Sequence, residues 1–356
     1  MKMKLTKLSL LGAIAILIGG ALILGSCEGP MGPAGPPGED GTDGIDGVDG
    51  TDGTDGVAGN AVCLECHTLD VKEAVTDLWA ASLHGTSQTF YPGSPTTVAY
   101  AGGRPDCAKC HSAEGFIETV WTGQDTTAAA IPLPTGIRCK ACHDFHSSLD
   151  FENEPNSAIR QTMPVTLIAS GDVVEFSNEE SNLCMACHQA REDAPDDAVA
   201  TAVIEIEEHW GPHHGPQANF INGLAGYEFR GEVTSVVGGG PHDCLGCHMG
   251  EVVGDTIGGH TWGASIESCA QCHGTDIEDG KTQVQGLLAQ LEDALFTAGM
   301  VDAEGHAIEE VFYEADSAGA LWNYIYIEEE ASHGVHNLGY AIDLLTESIT
   351  YMTATK

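Results

Sequence analysis

The sequence predicts a mainly α-helical protein with much irregular structure, little β-structure and a helical cap at its C-terminal end. Three observations carry this prediction: few aromatic residues, a short motif that recurs along the chain, and helical periodicity after the last motif. Among 356 residues there are 45 Gly but only 22 aromatic residues (9 Phe, 5 Trp and 8 Tyr). Side chains alone would make a thin core for this length, so something else must fill it.

The charge of the chain excludes several classes of partner. It carries 53 Asp and Glu against 13 Lys and Arg, a formal net charge of −40. Nucleic acid is excluded because phosphate binding needs a basic surface. Direct docking on anionic lipid is disfavoured for the same reason.

Residues 1–26 have the features of an export signal. An apolar run over 8–24 follows three basic residues, Lys2, Lys4 and Lys7. The run ends in Leu24-Gly25-Ser26-Cys27, which resembles a bacterial lipobox and makes Cys27 the predicted acylated first residue. The alternative is a plain signal peptide with an incidental cysteine. Glu28, in place of the Asp that marks inner-membrane retention, favours the outer membrane, on its periplasmic or extracellular face.

Residues 27–60 form the lipid anchor and a collagen-like tether. Glycine occupies every third position from Gly29 to Gly59, eleven times in succession. This is the collagen pattern, in which only glycine fits at the triple-helix axis. Two interpretations are open: a stalk that makes a homotrimer, and an extended flexible tether. At about 3.1 Å per residue, the segment would reach roughly 95 Å.

Six copies of Cys-x-x-Cys-His lie in the hexahaem-binding region predicted over 61–280. Numbered 1 to 6, they are Cys63, Cys66, His67; Cys107, Cys110, His111; Cys139, Cys142, His143; Cys184, Cys187, His188; Cys244, Cys247, His248; and Cys269, Cys272, His273. Two thiols at this spacing bind the haem vinyl groups covalently, and the adjacent histidine becomes the proximal iron ligand. Zinc sites and disulfide frameworks do not need a histidine after every pair. A thioredoxin-like motif would occur once. The predicted cofactors are therefore six covalently bound haem c groups.

The second face of each haem decides what the protein does, since His or Met there makes a carrier and an open face makes a catalyst. Ten histidines lie outside the motifs, enough to close all six haems. The candidate distal ligands are His84, His146, His214, His242, His260 and His336, with His209 and His213 in reserve. Bis-His ligation predicts low-potential haems.

Three segments resemble multihaem c-type cytochromes of anaerobic, metal-respiring and sulfur-cycle bacteria. They are Ser-Asn-Leu-Cys-Met-Ala-Cys-His-Gln-Ala-Arg at 181–191, His-His-Gly-Pro-Gln at 213–217 and Gly-Gly-His-Thr at 258–261. The C-terminal half resembles the ammonia-forming cytochrome c nitrite reductase group, through the Cys-x-x-Cys-His-Met at Cys244 to Met249, motif 6 and His336 on a late helix. That group has a Cys-x-x-Cys-Lys motif, which this chain lacks, so the resemblance does not imply nitrite reduction.

Residues 281–356 form a predicted C-terminal helical region that packs on the haems. Apolar residues recur with helical spacing over 282–298, and 318–333 and 338–352 have the same pattern. Two short apolar runs on either side of Gly171 predict a small hairpin. The fold class is therefore a multihaem cytochrome packed around a chain of six haems, which supply the missing core.

The predicted function is electron transfer by a membrane-anchored hexahaem cytochrome in anaerobic or extracellular respiration. Its partners would be redox proteins or an extracellular acceptor, and no catalytic residue is predicted. One alternative is an oxidoreductase acting on nitrogen or sulfur oxyanions at one open haem, with His209, His213 and Arg191 as substrate groups. Another is a subunit of a polymeric cytochrome filament.

Overall fold

The computed structural model describes residues 63, 67–86, 101–146, 158–196, 202–229, 243–254, 256–264 and 276–354. The predicted signal peptide, Cys27 and the collagen-like tether lie outside these residues, as do Cys66, His242 and motif 6. Among the helices in the described ranges, none is long and apolar enough to cross a membrane.

Motifs 2 to 5 coincide with short helical turns. The helices of this region, in chain order, are α1 Leu69–Ala81, α2 Leu83–Thr86, α3 Ala108–His111, α4 Ala113–Thr122, α5 Cys139–Cys142, α6 Asn182–Met185, α7 Gln217–Ile221 and α8 Cys244–His248. A 3-10 turn at Gly259–Thr261 follows α8. One turn of helix brings both thiols of a Cys-x-x-Cys pair to the same side.

Side chains at the helix ends fix where these short elements begin. Thr68 accepts a hydrogen bond from the backbone N–H of Val71 at the start of α1. Asp243 does the same for Gly246 at the start of α8, so motif 5 begins on a capped turn. Each cap satisfies a backbone donor that the first helical turn leaves unpaired.

Two small antiparallel sheets complete the described secondary structure. Strand β1 (Val165–Thr166) pairs with β2 (Val173–Val174), which confirms the hairpin predicted around Gly171. Gly171 has φ of +77°, a conformation that favours glycine. The second sheet pairs β3 (Val203–Ile206) with β4 (Val311–Glu314) and was not predicted. It joins the middle of the chain to the C-terminal helices.

The three predicted C-terminal helices are present with shifted bounds: α9 Asp276–Thr297, α10 Ala315–Glu330 and α11 Leu338–Thr353. Leu288, Leu291 and Leu295 of α9 are buried at helical spacing. Helix α10 ends three residues before the predicted bound because Ala331 adopts a left-handed φ of +64°. The mainly helical fold class with little β-structure is confirmed.

Within the described ranges, apolar side chains form two separate cores. The larger core joins α9, α10 and α11 with Phe220 and Tyr227 from the middle of the chain. The smaller core contains Phe116, Leu167 and Met185, and Cys142 and Cys187 pack against it. The smaller core thus lies beside motifs 3 and 4.

Candidate haem centres

All of the described cysteines belong to Cys-x-x-Cys-His motifs. Nine are described, and none of these forms a disulfide: Cys63, Cys107, Cys110, Cys139, Cys142, Cys184, Cys187, Cys244 and Cys247. They are therefore available for covalent attachment of a ligand.

Five motif histidines each face a histidine from elsewhere in the chain. The ring centroids are 6.2 Å apart for His67 and His146, 5.9 Å for His188 and His84, 6.0 Å for His111 and His213, 6.2 Å for His143 and His260, and 6.2 Å for His248 and His336. Two imidazole nitrogens that each lie about 2 Å from one metal ion place their ring centroids about 6 Å apart. The donor set therefore fits a single iron between the two rings of each pair.

Four of the six candidate distal histidines face a motif histidine: His84, His146, His260 and His336. The ring that faces His111 belongs to the reserve candidate His213 and not to His214. His214 instead places Nδ1 2.6 Å from a carboxylate oxygen of Glu329. The other reserve, His209, has a side chain that is 86% exposed. His242 lies outside the described residues.

In three of these rings, Nδ1 is hydrogen-bonded to an oxygen elsewhere in the chain. Nδ1 of His188 lies 3.0 Å from Gln217 Oε1, and Nδ1 of His248 lies 2.7 Å from the Trp262 carbonyl. Nδ1 of His336 bonds to Glu330 Oε1. An Nδ1–H that donates to such an acceptor leaves the Nε2 lone pair available for a metal.

Burial keeps several of these rings neutral, the form that binds a metal. Burial, and then the neighbouring His188, lower the pKa of His84 to about 4. Burial, followed by His214, lowers the pKa of His213 to about 4. The pKa of His214 moves the other way, because its hydrogen bond to Glu329 raises it. The two adjacent histidines thus have different electrostatic environments.

Motif 4 lies against three other motifs. Its Cys187 thiol donates to the backbone carbonyl of Lys109 in motif 2 at 3.7 Å. The hydroxyl of Ser181, three residues before Cys184, accepts from the backbone N–H of Leu245 in motif 5 at 3.3 Å. Burial, and then the nearby Cys184, raise the pKa of Cys142 in motif 3 to about 12. Motif 4 therefore has motifs 2, 3 and 5 as neighbours.

A cavity adjoins motif 3. Its walls include Cys139, Cys142, His143, His260, Ile137 and Trp79. The indole N–H of Trp79 donates to the Ile137 carbonyl at 3.2 Å, which fixes one wall. Thiols, two facing imidazoles and apolar side chains are the groups that a covalently attached haem requires.

Trp262 contacts candidate ligands of three motifs. Its ring centroid lies 4.6 Å from that of His84 and 5.4 Å from that of His260. Its carbonyl accepts the hydrogen bond from His248, and its φ is +54°.

Sequence reasoning did not single out Trp262, Gln217 or Glu330 because their roles depend on partners distant in the sequence. The only local signal was that Trp262 and Gln217 lie in the segments rich in histidine and glycine.

Two solved structures are similar to this chain. The outer cell wall cytochrome OcwA has 21% sequence identity and a TM-score of 0.48, and the match covers 78% of this chain and 50% of OcwA. The undecahaem cytochrome from the S-layer of Carboxydothermus ferrireducens has 18% identity and a TM-score of 0.40, over 83% of this chain and 38% of that one. This chain thus matches half of OcwA and a smaller share of the second protein. No protein-family model and no curated protein matches it.

Proposed function

We propose that this chain is a multihaem c-type cytochrome that transfers electrons. The observation that carries the proposal is the set of five histidine pairs with ring centroids 5.9–6.2 Å apart, each joining a motif histidine to a distant one. Such a recurrence across five sites in one chain is the pattern of bis-His haem ligation.

Each haem is named here after its motif. The proposed ligands are His67 and His146 for haem 1, His111 and His213 for haem 2, His143 and His260 for haem 3, His188 and His84 for haem 4, and His248 and His336 for haem 5. Haem 6 would bind through Cys269, Cys272 and His273, and His242 stays its candidate distal ligand. His213 replaces His214 in this assignment because its ring faces His111.

When bound, such a haem supplies a reversible one-electron couple. With both rings of a pair bound to the iron, neither face would be open to a substrate, which favours electron transfer over catalysis. The hydrogen bonds that three ligand rings make to oxygens of Gln217, Trp262 and Glu330 would hold these rings in fixed orientations.

The proposed setting is the cell envelope, on the periplasmic or extracellular face of the outer membrane. The export signal, the lipobox cysteine Cys27 and the collagen-like tether support a lipid-anchored protein, held away from the membrane. The net charge of −40 favours basic or cation-bridged redox partners, or an extracellular electron acceptor.

Intact-mass analysis and electron paramagnetic resonance (EPR) of the purified protein test this proposal together. We expect the mass of six covalent haems and an acylated Cys27, and low-spin signals only from the oxidised protein. Fewer haems would contradict the assignment of the motifs. A stoichiometric high-spin haem would contradict the closed carrier and favour the oxidoreductase alternative.

A further inference from the structure

Glu330 is a buried carboxylate at the end of α10. Its exposure is 1%, and its side chain is wholly buried. A buried charge is costly unless hydrogen bonds compensate it, so its partners indicate why the fold keeps it.

The partners of Glu330 surround one proposed haem ligand. Oε1 bonds to Nδ1 of His336. Oε2 accepts from the backbone N–H of Ser332 at 3.0 Å and from its hydroxyl at 2.6 Å. The Ser332 hydroxyl oxygen in turn accepts from the His336 N–H at 3.2 Å. These hydrogen bonds therefore fix the Glu330 carboxylate and the segment 332–336, which carries His336, relative to each other.

The acceptor on His336 differs in kind from those on two other proposed ligands. His188 has the amide oxygen of Gln217, and His248 has the carbonyl of Trp262. Both of these acceptors are neutral, whereas a carboxylate is the strongest side-chain acceptor for an N–H. A ligand ring that donates to a carboxylate gives more electron density to its metal, which stabilises the ferric state.

We propose that Glu330 is a positioning residue that orients His336 and lowers the reduction potential of haem 5. The proposal rests on the proposed function, since it requires haem 5. This role would explain why a carboxylate is buried at the end of α10, where the helix itself needs no acidic side chain.

Glu330→Gln tests the proposal, because it keeps the shape of the side chain and removes the negative acceptor. Redox titration followed by EPR should show one of six midpoint potentials rising. The expected change is about tenfold or more in the reduction equilibrium, or about 59 mV for one electron, the lower end of effects on metal-ligating histidines. The EPR signal of the same haem should also shift.

Glu329→Gln is the matched control. Glu329 is the preceding residue and also bonds to a histidine, but its partner His214 is not a proposed ligand. We expect the potential of haem 5 to stay unchanged in this variant, because Glu329 does not bond to His336. Equal shifts in the two variants would overturn the proposal, because they would reflect total charge and not the bond to His336.

Ser332→Ala provides a second measurement if Glu330→Gln does not assemble. It removes one donor to Oε2, so more of the negative charge acts on His336 and the same potential should fall. Six haems with unchanged potentials in every variant that assembles would overturn the role of Glu330 alone. A chain without covalent haem would overturn both this proposal and the proposed function.

Discussion

His213 and His214 are adjacent in sequence but face different groups. The His213 ring lies 6.0 Å from that of His111, and His214 bonds to Glu329 of α10. The backbone of His213 has φ of +72°, which costs of order 1 kcal/mol or more for a residue with a side chain. The bond of His214 to α10 helps to hold this strained turn, so the pair combines a proposed ligand with its anchor.

His213→Ala should open one face of haem 2, whereas His214→Ala should leave both faces closed. The alanine at 213 removes the only proposed distal ligand, so the oxidised protein should gain one high-spin haem. EPR of both variants, each with six haems by mass, measures the difference. The reverse result, with the high-spin signal in His214→Ala, would return the ligand to His214.

For single residues, the sequence predicts the features that depend only on residues nearby in the chain. The attachment cysteines and proximal histidines follow from spacing, because the covalent chemistry needs one turn of chain. Spacing cannot decide between His213 and His214 as the distal ligand, because adjacent residues share the same local sequence. The roles of Glu330 and Gln217 are not predictable from sequence, because these residues lie 113 positions apart and meet only in the fold, where the Gln217 amide donates to the Glu330 carbonyl.

Helix α10 holds the segment after α7 by close packing at a glycine. A Cβ on Gly319 would overlap the ring of Tyr227. The Tyr227 hydroxyl donates to Asp316 at 2.7 Å, and its backbone N–H donates to Asn323 at 2.8 Å. Since both partners lie on α10, Tyr227 cannot move away without breaking buried hydrogen bonds.

Gly319→Ala should therefore lower the free energy of unfolding by about 1–3 kcal/mol, the usual cost of overpacking. Gly286→Ala on α9 is the matched control, because a Cβ there meets no atom within 4 Å. It should raise the free energy of unfolding by about 0.5–1 kcal/mol through helix propensity. Denaturant unfolding followed by far-ultraviolet circular dichroism measures both, and the same sign in the two variants would contradict the packing argument.

Helices were easier to predict than sheet pairing. The apolar stripe with Leu288, Leu291 and Leu295 identifies α9, because a helix is built from local periodicity. Strands β3 and β4 lie over 100 residues apart in sequence, and Val203 pairs with Glu314. Neither strand has a local signal that could name its partner, so the second sheet was missed.

Across the whole molecule, the motifs branch at motif 4. Cys187 bonds to Lys109 of motif 2, and Ser181, beside motif 4, bonds to Leu245 of motif 5. Cys184 lies near enough to Cys142 of motif 3 to raise its pKa. The proposed haem 1 would neighbour motif 3, since its proposed ligand His146 is three residues after His143. In the proposed chain of haems, haem 4 would be a junction with three neighbouring haems. Among the described motifs, haem 1 would have a single neighbour, haem 3, and would be a terminus.

Removing haem 4 should change more of the remaining potentials than removing haem 1. The variants are Cys184→Ala with Cys187→Ala and, as the control, Cys63→Ala with Cys66→Ala. Two unit charges about 10 Å apart interact by roughly 1.7 kcal/mol at an effective dielectric constant of about 20, so a haem affects chiefly its immediate neighbours. We expect the potentials of haems 2, 3 and 5 to move together without haem 4, and that of haem 3 alone to move without haem 1. Redox titration of variants that each keep five haems measures this, and equal numbers of shifted potentials would contradict the junction.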